Sequence, residues 1–180
     1  MPDGARRIVA FLVALGVFSL DRWSKWMIET HFGSNDFNAT KTVIPGFFNI
    51  VRSQNPGVAF GMFAENVSRS RTPILIGLSL VAVLLLAGML WRIDRLDSPS
   101  ATGLALIFGG AMGNVFDRVR VGSVTDFLDF YAGQYHWYTF NIADASICTG
   151  AGLLILSMVL SQRHGLGKDR PGKDREARAS

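Results

Sequence analysis

Residues 109–127 read GGAMGNVFDRVRVGSVTDF. The segment begins as a run of small apolar residues and ends among carboxylates, guanidinium groups and an amide. Gly109, Gly110 and Gly113 follow the small-residue spacing that lets membrane helices approach closely. The pattern predicts a tightly packed apolar helix that ends in a polar cluster containing Asp117 and Asp126.

A second polar pair opens the last apolar run of the chain, where Asn141 and Asp144 lie within FNIADA at residues 140–145. A carboxylate in the first turn of a helix is stabilised by the positive end of the helix dipole, so Asp144 also has a structural reason to be there. Asp126 and Asp144 are therefore expected to reach the same boundary of the apolar region, from two neighbouring helices.

The composition favours a membrane protein over a soluble domain. Of 180 residues, 49% are hydrophobic and 18% are charged, whereas soluble domains have about 25% charged residues. The charges gather at the chain ends and in short stretches, which leaves long neutral runs. The net charge of +4 comes largely from the tail after Ser161 and is no argument for nucleic-acid binding. The one cysteine, Cys148, lies in an apolar run, so a core position without an intrachain disulfide is expected.

The apolar segments predict an all-α membrane protein with four transmembrane helices and a small β-rich extracytoplasmic subdomain. The predicted spans are residues 8–28, 73–91, 101–117 and 141–161. Residues 1–162 are expected to form a single membrane domain, followed by a disordered basic cytoplasmic tail over residues 163–180. Ser98 or Ser100 is expected to cap the third long helix.

The longest segment without a span is residues 29–72, and its composition favours the β-rich subdomain. Two short strands are expected at 43–44 and 47–51, around a turn at Pro45-Gly46. Asn55-Pro56-Gly57 is a turn by composition. The apolar stretch at residues 58–64 is too short to cross a bilayer and is expected to rest on its surface or to cover a groove.

The distribution of Lys and Arg predicts the orientation in the membrane. Basic residues precede the first span, lie between the second and third, and follow the fourth, while the long 29–72 segment contains only four. The positive-inside rule then places both termini in the cytoplasm. Asp126 and Asp144 would lie near the extracytoplasmic face.

Two carboxylates held close together in a site of low dielectric constant share one proton, because they cannot both ionise at low cost. Such a pair can deprotonate a water with one member and protonate a carbonyl oxygen with the other. Among the remaining acids, Asp117 is expected to pair with its neighbour Arg118, and Asp129 to face water. Asp21 and Lys25 are four residues apart, so they share a helix face, and their pairing is either structural or part of a site.

Other chemistries and functions stay open at this point. Metal binding is the main rival chemistry, but the three histidines (His31, His136 and His164) show no ligand spacing with the acids, and no cofactor is expected. A small proton-coupled membrane transporter would also place acids within spans, near mid-membrane and with inverted repeats. A non-enzymatic membrane assembly factor is the third alternative.

Five motifs, taken in order along the chain, resemble those of the lipoprotein signal peptidase family, signal peptidase II, of the bacterial cytoplasmic membrane. They are Asp21-x-x-Ser24-Lys25, VIPGFF at residues 43–48, Asn55-x-Gly57-x-Ala59-Phe60, the segment at residues 109–127, and FNIAD at residues 140–144. The resemblance covers about residues 21–147.

The resemblance implies an aspartic endopeptidase in which Asp126 and Asp144 form the catalytic dyad. It also implies a set of residues that bind substrate or support the acids: Asn55, Gly57, Asn114, Arg118, Asn141, Asp21 and Lys25. The implied substrate is a prolipoprotein whose cysteine carries a diacylglyceryl group, cut just before that cysteine. Membrane lipids are the other expected partners, and the chain is expected to be a monomer of the inner membrane.

Overall fold

The structure is a computed structural model that describes residues 3–32, 39–57 and 71–168. Its elements, in chain order, are α1 (Asp3–His31), β1 (Thr40–Ile44), β2 (Phe48–Asn55), α2 (Arg71–Trp91), α3 (Ser98–Val121), β3 (Val124–Ala132), β4 (Tyr135–His136) and α4 (Ile142–Lys168). A single 3₁₀ turn at Ile93–Arg95 connects α2 to α3. A mostly helical architecture with a small antiparallel sheet is thus confirmed.

Helix α3 is the centre of the bundle and packs against each of the other three long helices. Glycines at the contacts make this possible. A Cβ atom on Gly109 would lie 2.5 Å from the carbonyl oxygen of Ala14 in α1, and one on Gly110 would collide with the carbonyl oxygen of Ala143 in α4. The close packing predicted from the small-residue spacing is confirmed.

Helix α2 turns its apolar side chains outward. Leu78, Leu84 and Leu85 are 63%, 70% and 66% exposed, and a large exposed apolar surface marks contact with a membrane or a partner. By length and hydropathy, two helical segments of the described residues can cross a membrane, Pro73–Trp91 and Ile142–Gln162. Two of the four predicted spans meet this criterion.

The sheet is antiparallel, with the strand order β1-β2-β3-β4. Strands β2 and β3 pair from Phe48 opposite Phe130 to Asn55 opposite Val124. The β1–β2 turn contains Gly46 at a φ of 79°, in the left-handed region that glycine adopts at no steric cost. The two predicted strands and the turn between them are confirmed.

Strands β3 and β4 come from a part of the chain that was not predicted as sheet. The sheet is therefore not confined to residues 29–72, and Asp126 lies on a strand rather than at the end of a helix. Gly122, at a φ of 79°, ends α3 with its N–H bonded to the carbonyl oxygen of Arg118 at 3.0 Å. This left-handed cap turns the chain from α3 into β3.

The helix ends differ from the predictions at two further places. The N-cap of α3 is Asp97, so neither serine caps the helix. Ser100 is buried instead, and its hydroxyl donates to that of Ser157 on α4 at 3.0 Å. Helix α4 runs to Lys168, beyond the predicted start of the tail.

Cys148 is exposed on α4 and not part of the core. The apolar stretch at residues 58–64 and the end of the predicted tail, residues 169–180, lie outside the described residues. The expectations for them stay predictions.

We expect Gly110→Ala to destabilise the bundle, because the new Cβ would collide with the Ala143 carbonyl oxygen. Overpacking of this kind costs about 1–3 kcal/mol. The matched change Gly88→Ala lies on α2, where no atom comes within 4 Å of the new Cβ, so it should stabilise by up to about 1 kcal/mol. Thermal unfolding in detergent measures both, and equal melting temperatures for the two variants would contradict the packing.

Candidate functional site

Asp126 and Asp144 meet where the sheet contacts the N-terminus of α4. Asp126 lies on β3 and is only 3% exposed. Asp144 is the third residue of α4 and is half-buried. Asn141 donates hydrogen bonds to both carboxylates, and Asn114 donates to Asp144. The predicted convergence of the two acids is thus present, although the first arrives on a strand.

Asn141 caps α4 and touches both acids. Its Oδ1 accepts from the N–H of Asp144 at 2.9 Å, and Oδ2 of Asp144 accepts from the N–H of Asn141 at 3.4 Å. This reciprocal pair is a capping box. The Nδ2 of the same side chain donates to Oδ1 of Asp126 at 2.7 Å. One residue therefore sets the start of the helix and the position of both carboxylates.

Asn114 of α3 is the second amide that joins the acids. Its Nδ2 donates to Oδ1 of Asp144 at 2.7 Å, and its Oδ1 accepts from Nδ2 of Asn141 at 3.2 Å. The Lys25 ammonium also donates to this Oδ1 at 3.2 Å. Because an ammonium group can only donate, it fixes which end of the Asn114 amide faces Asp144.

Asn55, the last residue of β2, binds the other oxygen of Asp126. Its Nδ2 donates to Oδ2 of Asp126 at 3.1 Å, and its Oδ1 accepts from the N–H of Gly57 at 2.9 Å. Gly57 has a φ of 100°, and a Cβ there would collide with the side chain of Leu75. The positive φ is the stronger reason for glycine at this turn, because the Leu75 methyl group is the end of a flexible side chain.

A buried cluster of charges lies behind the asparagines. Lys25 and Asp21 are both 0% exposed, and the Lys25 ammonium is 2.9 Å from Oδ2 of Asp21 and 2.9 Å from Oδ2 of Asp117. Asp117 also pairs with Arg22. With two carboxylates and two cations the cluster is neutral, which lowers the cost of burying it. The predicted Asp21–Lys25 pair is confirmed.

Two predictions about the remaining acids are wrong. Asp117 pairs with Arg22 and Lys25 of α1 and not with its neighbour Arg118, because adjacent residues on a helix point in different directions. Asp129 does not face water. It is buried and bonded to Nδ2 of Asn49 at 2.9 Å and to Nδ1 of His136 at 2.8 Å. His136 reaches it because β4 pairs with β3.

Asp21 also holds the helix that bears Asp144. Its Oδ1 accepts from the N–H of Ala143 at 3.0 Å, one of the first-turn amides that have no partner within the helix. Gly113 lies so close to Asp21 that a Cβ would collide with this carboxylate. Asp21 thus acts on the site through the N-terminus of α4.

Thr125 belongs to the site but was not singled out from the sequence. It is fully buried. Its N–H donates to Oδ2 of Asp117 at 3.3 Å, and its carbonyl oxygen accepts from Nδ2 of Asn141 at 3.4 Å. Both contacts use the backbone, so residue type carries little sign of them. The one available signal is its position directly before Asp126.

Arg118 lies in the last turn of α3 and is partly buried. Its Nη1 donates weakly to the carbonyl oxygen of Asn114 at 3.4 Å. Its Nε–H is buried and has no hydrogen-bond partner among the described residues. Since buried N–H groups in proteins are almost always paired, this donor is available to a ligand.

A cavity of about 280 Å³ opens beside Asp126. It is lined by Ser53, Gln54, Asn55, Pro56, Asp126, Tyr138 and Thr139. The end of β2 and the segment before α4 therefore form two sides of a space that reaches one of the two acids. No group of three His, Cys, Asp or Glu side chains in the described ranges is arranged to hold a metal ion.

Burial raises the pKa of Asp126 from 3.8 to about 6, and the negative charge of Asp144 adds to the rise. Hydrogen bonds from Asn55 and Asn141 and the charge of Lys25 act in the opposite direction. Desolvation prevails, so Asp126 keeps its proton to a higher pH than an ordinary aspartate.

Comparison with known proteins gives a consistent result. The family profile described as Signal peptidase (SPase) II matches residues 13–160. The chain is 50% identical to a lipoprotein signal peptidase of Solibacter usitatus over 91% of this chain and 96% of that one. It is 40% identical to a lipoprotein signal peptidase of Geobacter sulfurreducens, over 84% and 91%.

Two solved structures share the fold. One is a bacterial membrane enzyme determined by the in meso method at 2.3 Å resolution, with a TM-score of 0.75 and 25% identity over 92% of this chain and 93% of that one. The other, determined by the same method at 1.9 Å, has a TM-score of 0.69 and 27% identity over 83% and 92%.

We expect the stability of the fold to fall as pH rises from about 4 to about 6. The folded state holds the Asp126 proton more tightly than the unfolded state, so its stabilisation is complete below pH 3.8 and is lost through pH 6. The shift corresponds to roughly 2–3 kcal/mol. Asp126→Asn has no such proton, so its melting temperature should gain several degrees relative to the native protein between pH 4 and pH 8.

Asp144→Asn provides the matched comparison. Removing the Asp144 charge lowers the pKa of Asp126, so this variant should keep a pH dependence, but a shallower one with its midpoint at lower pH. Melting curves of native protein and Asp126→Asn that run parallel from pH 4 to pH 8 would contradict the assignment.

Proposed function

The chain belongs to the signal peptidase II family, and we propose that it is an intramembrane aspartic endopeptidase. In this proposal it removes the signal peptide from prolipoproteins whose cysteine carries a diacylglyceryl group, and it cuts just before that cysteine. Asp126 and Asp144 activate the attacking water. No cofactor takes part.

One observation carries the proposal: two carboxylates from separate elements are bridged by the side chains of Asn114 and Asn141. An amide donates to each acid without adding a charge, so the acids can still exchange a proton with substrate and water. Paired acids that share one proton can serve as base and acid in the same step.

Asp144 acts as the base in this mechanism. It lies at the N-terminus of α4, where the helix dipole and the Asn114 donor favour the carboxylate form. Asp126 is almost fully buried, and burial favours its protonated form. In this mechanism the resting enzyme therefore holds the proton on Asp126.

Both acids return to their starting protonation states in one turnover. Asp144 takes a proton from water while the water oxygen bonds to the scissile carbonyl carbon, and Asp126 gives its proton to the carbonyl oxygen. The resulting diol then breaks its C–N bond. Asp144 passes its proton to the amine nitrogen of the lipidated cysteine, and Asp126 recovers a proton from a diol hydroxyl.

Three further residues are assigned to the substrate. Arg118 offers its buried Nε–H to a substrate carbonyl oxygen. Asn55 orients Asp126 at the mouth of the cavity, and Gly57 holds Asn55 in place through the hydrogen bond from its N–H. Backbone recognition of this kind suits a peptidase that accepts many sequences.

Asp21 and Lys25 support the dyad without touching substrate. Lys25 fixes the amide of Asn114, and Asp21 binds the first turn of α4. Both act on Asp144 through another group, so they are positioning residues.

In the proposed arrangement all four long helices cross the membrane, with both termini in the cytoplasm. Helices α1 and α3 pack in the same bundle as the two helices that meet the span criterion. The dyad then lies at the extracytoplasmic ends of α3 and α4, near the headgroup level. A substrate anchored by its diacylglyceryl group would present its scissile bond at the same depth. The protein acts as a monomer in the inner membrane.

The first test replaces the acids. Asp126→Asn and Asp144→Asn should each lower cleavage of a lipidated precursor at least about 10³-fold, since each removes one half of the acid–base pair. Asp129→Asn is the matched control, because Asp129 lies on the same strand and bonds to neither acid. It should keep most of the activity. A gel-shift assay with purified protein reads out all three, and addition of a chelator should change nothing.

Other functions predict other results. A non-enzymatic assembly factor would show no cleavage by the native protein, and a metal-dependent peptidase would lose activity with chelator. Full activity in Asp126→Asn or Asp144→Asn would overturn the dyad.

The second test concerns Arg118. Arg118→Lys keeps the positive charge but removes the Nε–H, so KM for the precursor should rise about 10-fold or more with little loss of stability. The control Arg120→Lys lies two residues on, where the guanidinium is half-exposed and 3.1 Å from Glu29, and should leave KM unchanged. Equal KM values for the two variants would exclude the proposed contact.

A further inference from the structure

A groove runs along the outside of the bundle between α1 and α2, at the end of the molecule opposite to the dyad. Both helices pack on α3, but within the described residues they make no extensive contact with each other. The groove contains a cavity of about 290 Å³, lined by Arg7, Ala10, Phe11, Ala14, Ala87, Leu90, Trp91, Ile93 and Phe108. We refer to it as the α1–α2 groove.

A second cavity of about 160 Å³, lined by α1 and α3, adjoins the groove on the side toward the dyad. The two cavities share Phe11, Ala14 and Phe108, and the second reaches Phe18 and Met112. The lining is apolar along its whole length except at one end. There the charged side chain of Arg7 forms the rim.

The length of the groove matches one leaflet of a bilayer. Arg7 and Phe18 are separated by about 16 Å along α1, at roughly 1.5 Å per residue. Half of a hydrocarbon core of about 30 Å is about 15 Å. In the proposed orientation the Arg7 end lies at the cytoplasmic surface, so the groove spans the cytoplasmic leaflet.

The volume of the groove bears on the kind of occupant. A helix of about 10 Å diameter and 16 Å length has a volume of roughly 1,300 Å³, more than the two cavities hold. A signal-peptide helix or a second copy of this chain could therefore rest on the groove but not fill it. A single extended alkyl chain is narrow enough.

The charges at the rim select the headgroup. The Arg7 side chain is 56% exposed and forms an ion pair with Asp94, in which its Nε donates to Oδ2 at 2.8 Å. Arg92 and Arg95 are exposed on the adjoining connector. At this end of the bundle Arg6, Arg7, Arg92 and Arg95 carry four positive charges, against two negative charges on Asp94 and Asp97. The net positive charge attracts anionic lipid.

We propose that the α1–α2 groove binds one acyl chain of an anionic phospholipid of the cytoplasmic leaflet, with its phosphate against Arg7. The lipid fills the gap between two helices that the protein itself leaves open, and so braces α1 and α2 against α3. The proposal rests on the proposed membrane orientation but not on the dyad.

Native mass spectrometry of the purified full chain tests the proposal, with phosphatidylglycerol and phosphatidylcholine of equal chain length as probes. The native protein should retain one phosphatidylglycerol at least about fivefold better than phosphatidylcholine. Ala87→Phe places a ring in the groove and should lose both lipids. The matched control Leu85→Phe adds the same ring on the outer face of α2, where Leu85 is 66% exposed, and should retain the native pattern.

Arg7→Gln distinguishes the contribution of the lipid headgroup from that of the acyl chain. It should remove the preference for phosphatidylglycerol while phosphatidylcholine is still retained. Equal retention of phosphatidylglycerol by Ala87→Phe and Leu85→Phe would overturn the site, and so would a native protein that shows no preference between the lipids.

A second measurement does not depend on whether Ala87→Phe folds. Phosphatidylglycerol with brominated acyl chains should quench the fluorescence of Trp91, which lines the groove, and a comparison with Trp91→Phe isolates that contribution. Because Trp91 is 80% exposed, lipid outside the groove also quenches it, so brominated phosphatidylglycerol should quench it more than brominated phosphatidylcholine. No difference in quenching between the two proteins would contradict the proposal. Precursor cleavage by Leu85→Phe checks the enzyme separately, so failure of the lipid site and failure of the peptidase proposal give different results.

Discussion

The structure depends first on the buried ammonium group of Lys25. An uncompensated charge in the interior costs several kcal/mol, so Lys25 requires both Asp21 and Asp117 at 2.9 Å. Asp21 is on the same helix, whereas Asp117 belongs to α3. Once the two helices are joined in this way, Asp21 reaches the first turn of α4 and Lys25 reaches Asn114. The ion cluster therefore orients three helices at the place where the candidate dyad is assembled.

The dyad itself is held in a different way. Its direct partners are asparagine side chains, with Asn55 and Asn141 on Asp126 and Asn114 on Asp144. A neutral amide fixes a carboxylate in space without strongly favouring its ionised form, as a nearby Lys or Arg would do. Cations that are needed for structure bond to Asp21 and Asp117, one layer away. This separation leaves Asp126 able to hold a proton near pH 6.

The sequence predicted contacts within one element better than contacts between elements. The Asp21–Lys25 pair follows from helical spacing alone. The partners of Asp117 could not be found in this way, because they lie on a helix nearly a hundred residues earlier in the chain. Strand β3 was missed because both of its faces are partly covered, which removes the alternation that marks a half-buried strand. The convergence of Asp126 with Asp144 followed from topology, and the residue roles came from the resemblance to a family.

The capping box at Asn141 ties the stability of α4 to the chemistry proposed for it. The Asp144 side chain accepts the Asn141 N–H in the first turn of α4, and a carboxylate at this position also interacts favourably with the helix dipole. In the proposed mechanism Asp144 gives up these charge interactions when it takes a proton from water and recovers them when it passes that proton to the leaving amine. The interactions that begin α4 would then be the same ones that act on the proposed base.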